Sequence, residues 1–321
     1  MTAKPMFGLQ ENLAKNLLFV DGITRCGKSM FSRIISTLAD CEHIRFSTYI
    51  EHMVLSLALG VIDPGFARST MRTLFNEAVH DTVISRNANF KPDDQTGVLN
   101  YHNPKLYIER LGHEGGEETV EYLRKGERIF PYQAHDIMVH LEHLDDLEFD
   151  YKIIEVYRHP VDNINSWYTQ GWGERFGNDP YAFTLTIEYD GKMLPWYCVG
   201  YEEEWLSLNP MERCIRTAND LIQKSVAQQK KAKNPDRIIT VVYEEMVEKP
   251  DAQMARISEF VGSPLTPWTA PALAKENLPI VLKPESRQKK LDAFRAGVSS
   301  ELFDQLVAIS EEYEKDLYGL R

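Results

Sequence analysis

Leu17-Leu18-Phe19-Val20-Asp21-Gly22-Ile23-Thr24-Arg25-Cys26-Gly27-Lys28-Ser29 is the stretch on which the fold turns. Four consecutive apolar residues ended by Asp-Gly have the pattern of a short parallel strand buried on both faces. Residues 22–29 then match G-x-x-x-x-G-K-[ST]. Past Gly27, the residues Met30, Phe31, Ile34, Ile35 and Leu38 recur at helical spacing up to about Ala39. A glycine-bearing loop between a strand and a helix suits an oxyanion, because its N–H groups turn inward and the helix N-terminus adds its dipole. The stretch predicts phosphate or sulfate binding; the bland alternative is a tight strand-to-helix turn with no ligand.

Working outward, two more apolar runs repeat the strand pattern. Lys152-Ile153-Ile154-Glu155-Val156-Tyr157 leads into Arg158-His159-Pro160 and a predicted helix from about residue 161. Ile238-Ile239-Thr240-Val241-Val242-Tyr243 leads into an amphipathic helix at about 251–261. Strands separated by helices predict an α/β protein, a parallel sheet with helices on both faces. Residues 40–128 read mainly as helix and loop, with breaks at 86–104 and 112–118, and form a helical insertion. The strongest hairpin signal is Asp190-Gly191 between residues 183–189 and 192–197. Further helices are expected at about 208–232 and 299–316, and the charged run at 228–233 is a solvated helix end.

Composition narrows the classes. At ~150 residues per domain the length allows about two domains. A single α/β core with one large insertion fits as well, and residues 1–321 are read as one domain. The 43% hydrophobic and 26% charged fractions exclude general disorder. With 48 acidic against 36 basic residues and a net charge of −12, a general coat for nucleic acid is excluded, although a local anion pocket is not. Cys26, Cys41, Cys198 and Cys214 have no metal spacing and make no disulfide framework, which points to a reducing, cytoplasmic setting. The N-terminus carries no apolar signal segment. The most apolar run, at 53–62, is about ten residues and too short to span a bilayer.

The loop does not name its nucleotide. An ATP or GTP enzyme built on it also needs Mg²⁺, usually held by the loop Ser/Thr and an Asp that ends another apolar strand. Here the strands at 152–157 and 238–243 run into Arg158 and Glu244. Arg158 places a permanent cation where the metal-binding carboxylate is expected, which points to a second anionic group on the ligand.

Four pieces, taken in order, resemble the PAPS-dependent sulfotransferases, whose donor is 3′-phosphoadenosine 5′-phosphosulfate. Thr24-Arg25-Cys26-Gly27-Lys28-Ser29 is similar to the family's 5′-phosphosulfate loop. Arg158-His-Pro-Val-Asp-Asn-Ile-Asn-Ser166 is similar to the 3′-phosphate motif, in which Arg and Ser stand eight residues apart. Val242-Tyr243-Glu244-Glu245-Met246, leading to Ile257-Ser-Glu-Phe-Val-Gly262, is similar to a late strand–helix segment. Tyr132-Gln133-Ala134-His135 matches the strand end that bears a catalytic histidine, 23 residues before Arg158. There are departures. Lys28 stands where the family commonly has Thr, and Met30 where an aromatic often stacks on adenine, with Phe31 adjacent. The late basic loop has no clear counterpart; Lys283, Arg287, Lys289 and Lys290 are its candidates, or a solvated cluster.

The resemblance implies a P-loop enzyme that moves the sulfuryl group of PAPS to a hydroxyl or amine of a small-molecule, sugar or lipid acceptor, releasing PAP without a metal. It implies that Arg25 and Lys28 neutralise the phosphosulfate, and that Cys26, Gly27, Lys28, Ser29 and Met30 form the donor loop. Arg158 and Ser166 would hold the 3′-phosphate. His135 would be the general base, with an ordinary pKa of about 6.5. Glu51 is the alternative base, since some relatives use a Glu on the segment after the first helix. A different chemistry, an Mg-ATP-dependent P-loop kinase, rests on the complete Gly-Lys-Ser. Trp167, Trp172, Trp196 and Trp205 cluster around the hairpin and read either as core or as an acceptor pocket. The insertion at 40–128 is expected to cover the same mouth.

Overall fold

A computed structural model describes residues 6–320 apart from 176, 178 and 284. Every residue of β1 (Leu17–Asp21) is buried. Leu17 and Phe19 enter one hydrophobic cluster and Leu18 and Val20 another, so the strand is covered on both faces, as the continuous apolar run requires. The remaining strands are β2 (Arg45–Phe46), β3 (Phe130–Gln133), β4 (Tyr151–Tyr157), β5 (Thr186–Tyr189), β6 (Lys192–Pro195) and β7 (Ile238–Val242). Five of them make a parallel sheet in the order β2-β3-β1-β4-β7.

The chain leaves β1 to build one side of the sheet and later returns to build the other at β4. The carboxyl ends of β3, β1 and β4 therefore meet where the strand order reverses, the place where an open α/β sheet opens a crevice. Three elements enter that crevice. They are the loop leading into helix α1 (Lys28–Ile35), the turn after β3, and the turn from β4 into the helix Pro160–Thr169. Helices α2 (Thr48–Ala58) and α3 (Pro64–Val83) follow β2, and α3 packs Met71, Phe75 and Val79 against the Phe19 face of the sheet.

The structure adds two strands that periodicity does not announce. β2 has two residues, and β3 carries Pro131 opposite Leu18, a residue that cannot donate to a ladder. β5 and β6 pair antiparallel through Asp190 and Gly191, at φ 49° and 69°, the two left-handed residues that a type I′ turn needs. This hairpin is shorter than expected because Phe183 is itself left-handed, at φ 47°, and Pro195 ends the second strand. Among the described residues no helix is long and apolar enough to cross a membrane.

Candidate active site

The crevice is a cleft of about 520 Å³. Its floor is the loop. Gly22 and Gly27 have φ 136° and 104°, and a Cβ at Gly22 would lie 2.4 Å from the Val156 carbonyl oxygen. A Cβ at Gly27 would lie 2.4 Å from the Tyr243 ring, so both positions admit only glycine. No side chain caps the start of α1 and no acid sits in its first turn, which leaves the positive end of the helix facing the cleft.

Of the residues expected in the loop, Arg25, Gly27, Lys28, Ser29 and Met30 line the cleft. Cys26 does not. Its side chain is fully buried in the core, its thiol is pushed up to about 11 by burial, and its N–H is spent on the Ile23 carbonyl. Phe31 is also buried, packed near Tyr243, so it offers no face to a base. Lys28 turns its ammonium back onto the Gly22 carbonyl.

Arg25 links Arg158 to Ser166, the two residues whose eight-residue spacing gave the expectation that both reach one phosphate. Arg25 Nε donates to Ser166 Oγ at 3.0 Å, and Arg158 donates to the Arg25 carbonyl at 3.0 Å while its guanidinium lies 4.5 Å from the Tyr243 ring centre. The Nε of Arg158 is buried with no hydrogen-bond partner among the described residues, a donor left over for an anion. The late basic candidates behave differently. Arg287 and Lys290 are tied to Asp162 at 3.0 and 2.5 Å, and Lys283 and Lys289 are exposed. None of the four lines the cleft.

His135 follows the end of β3, and its main-chain N–H and ring Nδ1 lie 2.8 and 3.0 Å from Glu51 Oε1 on α2. Both side chains line the cleft. The environment corrects the ordinary pKa expected of His135. Burial, helped by the Lys28 charge, holds it well below 6.5. Burial raises Glu51 to about 7 and the neighbouring Asp136 also to about 7.

Beneath the loop lie two more acids that sequence reasoning passed over. Asp21 ends β1 and stands opposite Glu155 in the register of β4. Asp21 accepts from the Met138 N–H at 2.8 Å, and Glu155 accepts from Ser225 Oγ at 2.9 Å. Burial raises both, and Asp21 adds to the rise at Glu155. A single acid inside an apolar run carries no signal by itself; only the register makes the pair. Tyr243 backs Gly27 and carries Arg158, a role that the strand–helix motif containing it does not signal.

The cleft also has an aromatic wall. Trp172, Tyr181, Phe183, Trp196 and Tyr197 line it, whereas Trp167 and Trp205 are core residues. The tryptophan cluster is thus divided between the two readings. From the expected cap at 40–128 only Phe46, Thr48, Glu51, His52, Val54, Leu55 and Gln95 reach the cleft. The rest packs beside the sheet, partly through Glu42, buried between Arg110 and Arg128 at 2.8 Å from each.

A strand, an uncapped loop of this form and converging arginines describe a site for a sulfated or phosphorylated donor. The family model of the sulfotransferase domain matches residues 18–289.

The chain belongs to the sulfotransferase family.

Among solved structures, the sulfotransferase domain of the Synechococcus PCC 7002 olefin synthase is similar at 15% identity, over 98% of this chain and 100% of that one, with a TM-score of 0.45. A sulfotransferase from Alicyclobacillus acidocaldarius is 15% identical over 92% and 96% of the two chains, with a TM-score of 0.42. Mouse sulfotransferase SULT7A1 complexed with PAP is 12% identical over 98% and 88%, with a TM-score of 0.40. No curated protein sequence matches. As a sulfotransferase, the chain is a transferase, and the kinase reading of its Gly-Lys-Ser is not favoured.

Proposed function

We propose that this sulfotransferase uses PAPS as donor, works without a metal, and passes the sulfuryl group to a hydroxyl of a small acceptor with His135 as general base. The carrying observation is that the Glu51–His135 pair and the uncapped phosphate loop line one cleft. The residues present fit the donor. The amides at the start of α1 and the Ser29 hydroxyl suit a 5′-phosphate, and Arg158 with Ser166 suits a 3′-phosphate.

Arg25 and Lys28 supply positive charge to the bridging oxygen; arginine does not give up a proton, so its role is electrostatic. His135 Nε2 takes the hydroxyl proton as the acceptor oxygen bonds to sulfur and the bond from sulfur to the bridging phosphate oxygen breaks. PAP leaves with that oxygen. Glu51 keeps Nδ1 protonated and the ring aimed. The whole chain acts as one domain, α2 covering the acceptor side. Four free, buried cysteines fit the cytoplasmic setting proposed for it.

Thermal-shift binding tests the donor. Stabilisation by PAP in the presence of chelator, with little response to Mg-ATP, is the expected result. Stabilisation by Mg-ATP alone would overturn the proposal in favour of a kinase.

A further inference from the structure

The turn after β3 brings more than the base into the cleft. His135, Asp136 and His140 all line it, together with Tyr181, Phe183, Trp196 and Tyr197. Asp136 sits at φ 60°, in the left-handed region. It is 6% exposed. The Thr24 N–H donates to its carboxylate, yet Oδ1 is buried with no hydrogen-bond partner among the described residues. The same holds for His140 Nε2, whose ring sits 5.4 Å from that of Trp196. Two orphaned polar atoms on one wall of a catalytic cleft, next to the base, call for partners.

We infer that the acceptor carries a second hydroxyl beside the one that is sulfated, and that Asp136 and His140 read it. The inference rests on the sulfotransferase reading of this cleft and deepens it to a substrate class: vicinal diols, of which sugars and cyclitols are the ring forms. A hydroxyl donating to Asp136 Oδ1 fills the vacancy that a phenol or simple alcohol leaves open. The aromatic lining beside Asp136 and His140 takes the apolar face of the ring. His140, held down to about 4 by burial, is neutral and offers one donor and one acceptor. A site built around a substrate hydroxyl rejects the analogue that lacks it far more strongly than an apolar pocket distinguishes sizes.

Matched acceptors test this with labelled PAPS: cyclohexanol against cis-1,2-cyclohexanediol and myo-inositol, and phenol against catechol. The hydroxyl-rich member of each pair should be favoured in kcat/KM by about tenfold or more. In Asp136→Ala and in His140→Ala that ratio should fall towards one. Asp136→Asn keeps an acceptor oxygen at the same place and should retain most of the preference, which guards against a variant that fails to fold. PAP binding by calorimetry on the same preparations reports on the donor site separately. A wild-type protein that does not bind PAP removes the sulfotransferase reading of the cleft. A protein that binds PAP but prefers the mono-alcohols, treats the pairs alike, or transfers to none of the diols overturns the acceptor inference alone.

Discussion

Glu51 Oε1 receives both the main-chain N–H of His135, at 2.8 Å, and its ring Nδ1, at 3.0 Å. Two residues that read as rival bases are therefore one unit. A carboxylate on Nδ1 fixes the tautomer and leaves Nε2 as the basic nitrogen, and it compensates the positive charge that forms when Nε2 takes a proton. Because burial and Lys28 keep His135 neutral, the imidazole is in its working form before the acceptor arrives.

Removing the base and removing its orienting partner should give unequal losses. His135→Ala should slow turnover by ~10²–10⁴ while leaving PAP affinity nearly intact. Glu51→Gln still offers an oxygen to both N–H groups and should cost less than loss of the base. Steady-state kinetics with calorimetric PAP titrations would separate the two. Equal, severe losses in both variants would mean that Glu51 takes the proton itself.

The pH profile follows from the same pair. Glu51 rises to about 7 through burial, so it is protonated in mildly acidic solution and cannot then compensate an imidazolium. kcat/KM should climb as pH rises through about 7 and level off above it. In Glu51→Gln the acid limb should vanish, leaving a lower plateau. An unchanged limb in that variant would assign the titration to another group, Asp136 being the nearest with a similar value.

Much of the sheet was legible because β1, β4 and β7 are predominantly apolar runs, each followed by a helix signal. The loop was legible because G-x-x-x-x-G-K-S fell between them. What periodicity missed has physical reasons. β2 is too short to show a period, and Pro131 disguises β3. The site was half legible. Spacing singled out His135 and Arg158, which line the cleft, and Ser166, which meets Arg25, but that Cys26 faces the core follows from the tight path between Gly22 and Gly27, and that Asp162 absorbs Arg287 and Lys290 follows from helix packing. Asp21 and Glu155 became a pair only through strand register.

The 3′-phosphate assignment separates two ligands that differ by one group. Arg158→Ala should weaken PAP binding by ~2–4 kcal/mol, the usual loss for a charge-assisted contact left unpaired. Binding of 5′-AMP, which has no 3′-phosphate, should barely change. The packing of Arg158 on Tyr243 and on the Arg25 carbonyl makes a control necessary. Arg158→Lys keeps a cation but not the planar fork, and should recover only part of the PAP affinity. Equal losses for PAP and 5′-AMP would show that Arg158 supports the loop rather than the 3′-phosphate.

The buried acids under the loop make a prediction about stability. Burial raises Asp21 and Glu155 above their ordinary values, and their mutual repulsion adds to it at Glu155. A carboxyl whose folded-state pKa is raised binds its proton more tightly in the native chain than in the unfolded one. Its favourable contribution is complete below the unfolded value of ~4 and is lost as pH rises through the folded value. Wild-type stability should therefore fall from mildly acidic to mildly alkaline solution. Glu155→Gln keeps an oxygen for the Ser225 hydroxyl and removes the repulsion. At pH ~8 it should be more stable than wild type, with the difference shrinking towards pH ~4. Urea denaturation across that range measures it. A destabilised Glu155→Gln at pH ~8 would instead mean that Lys28 depends on an ionised Glu155 as its counter-charge, and that the acid pair supports the phosphate loop through the lysine.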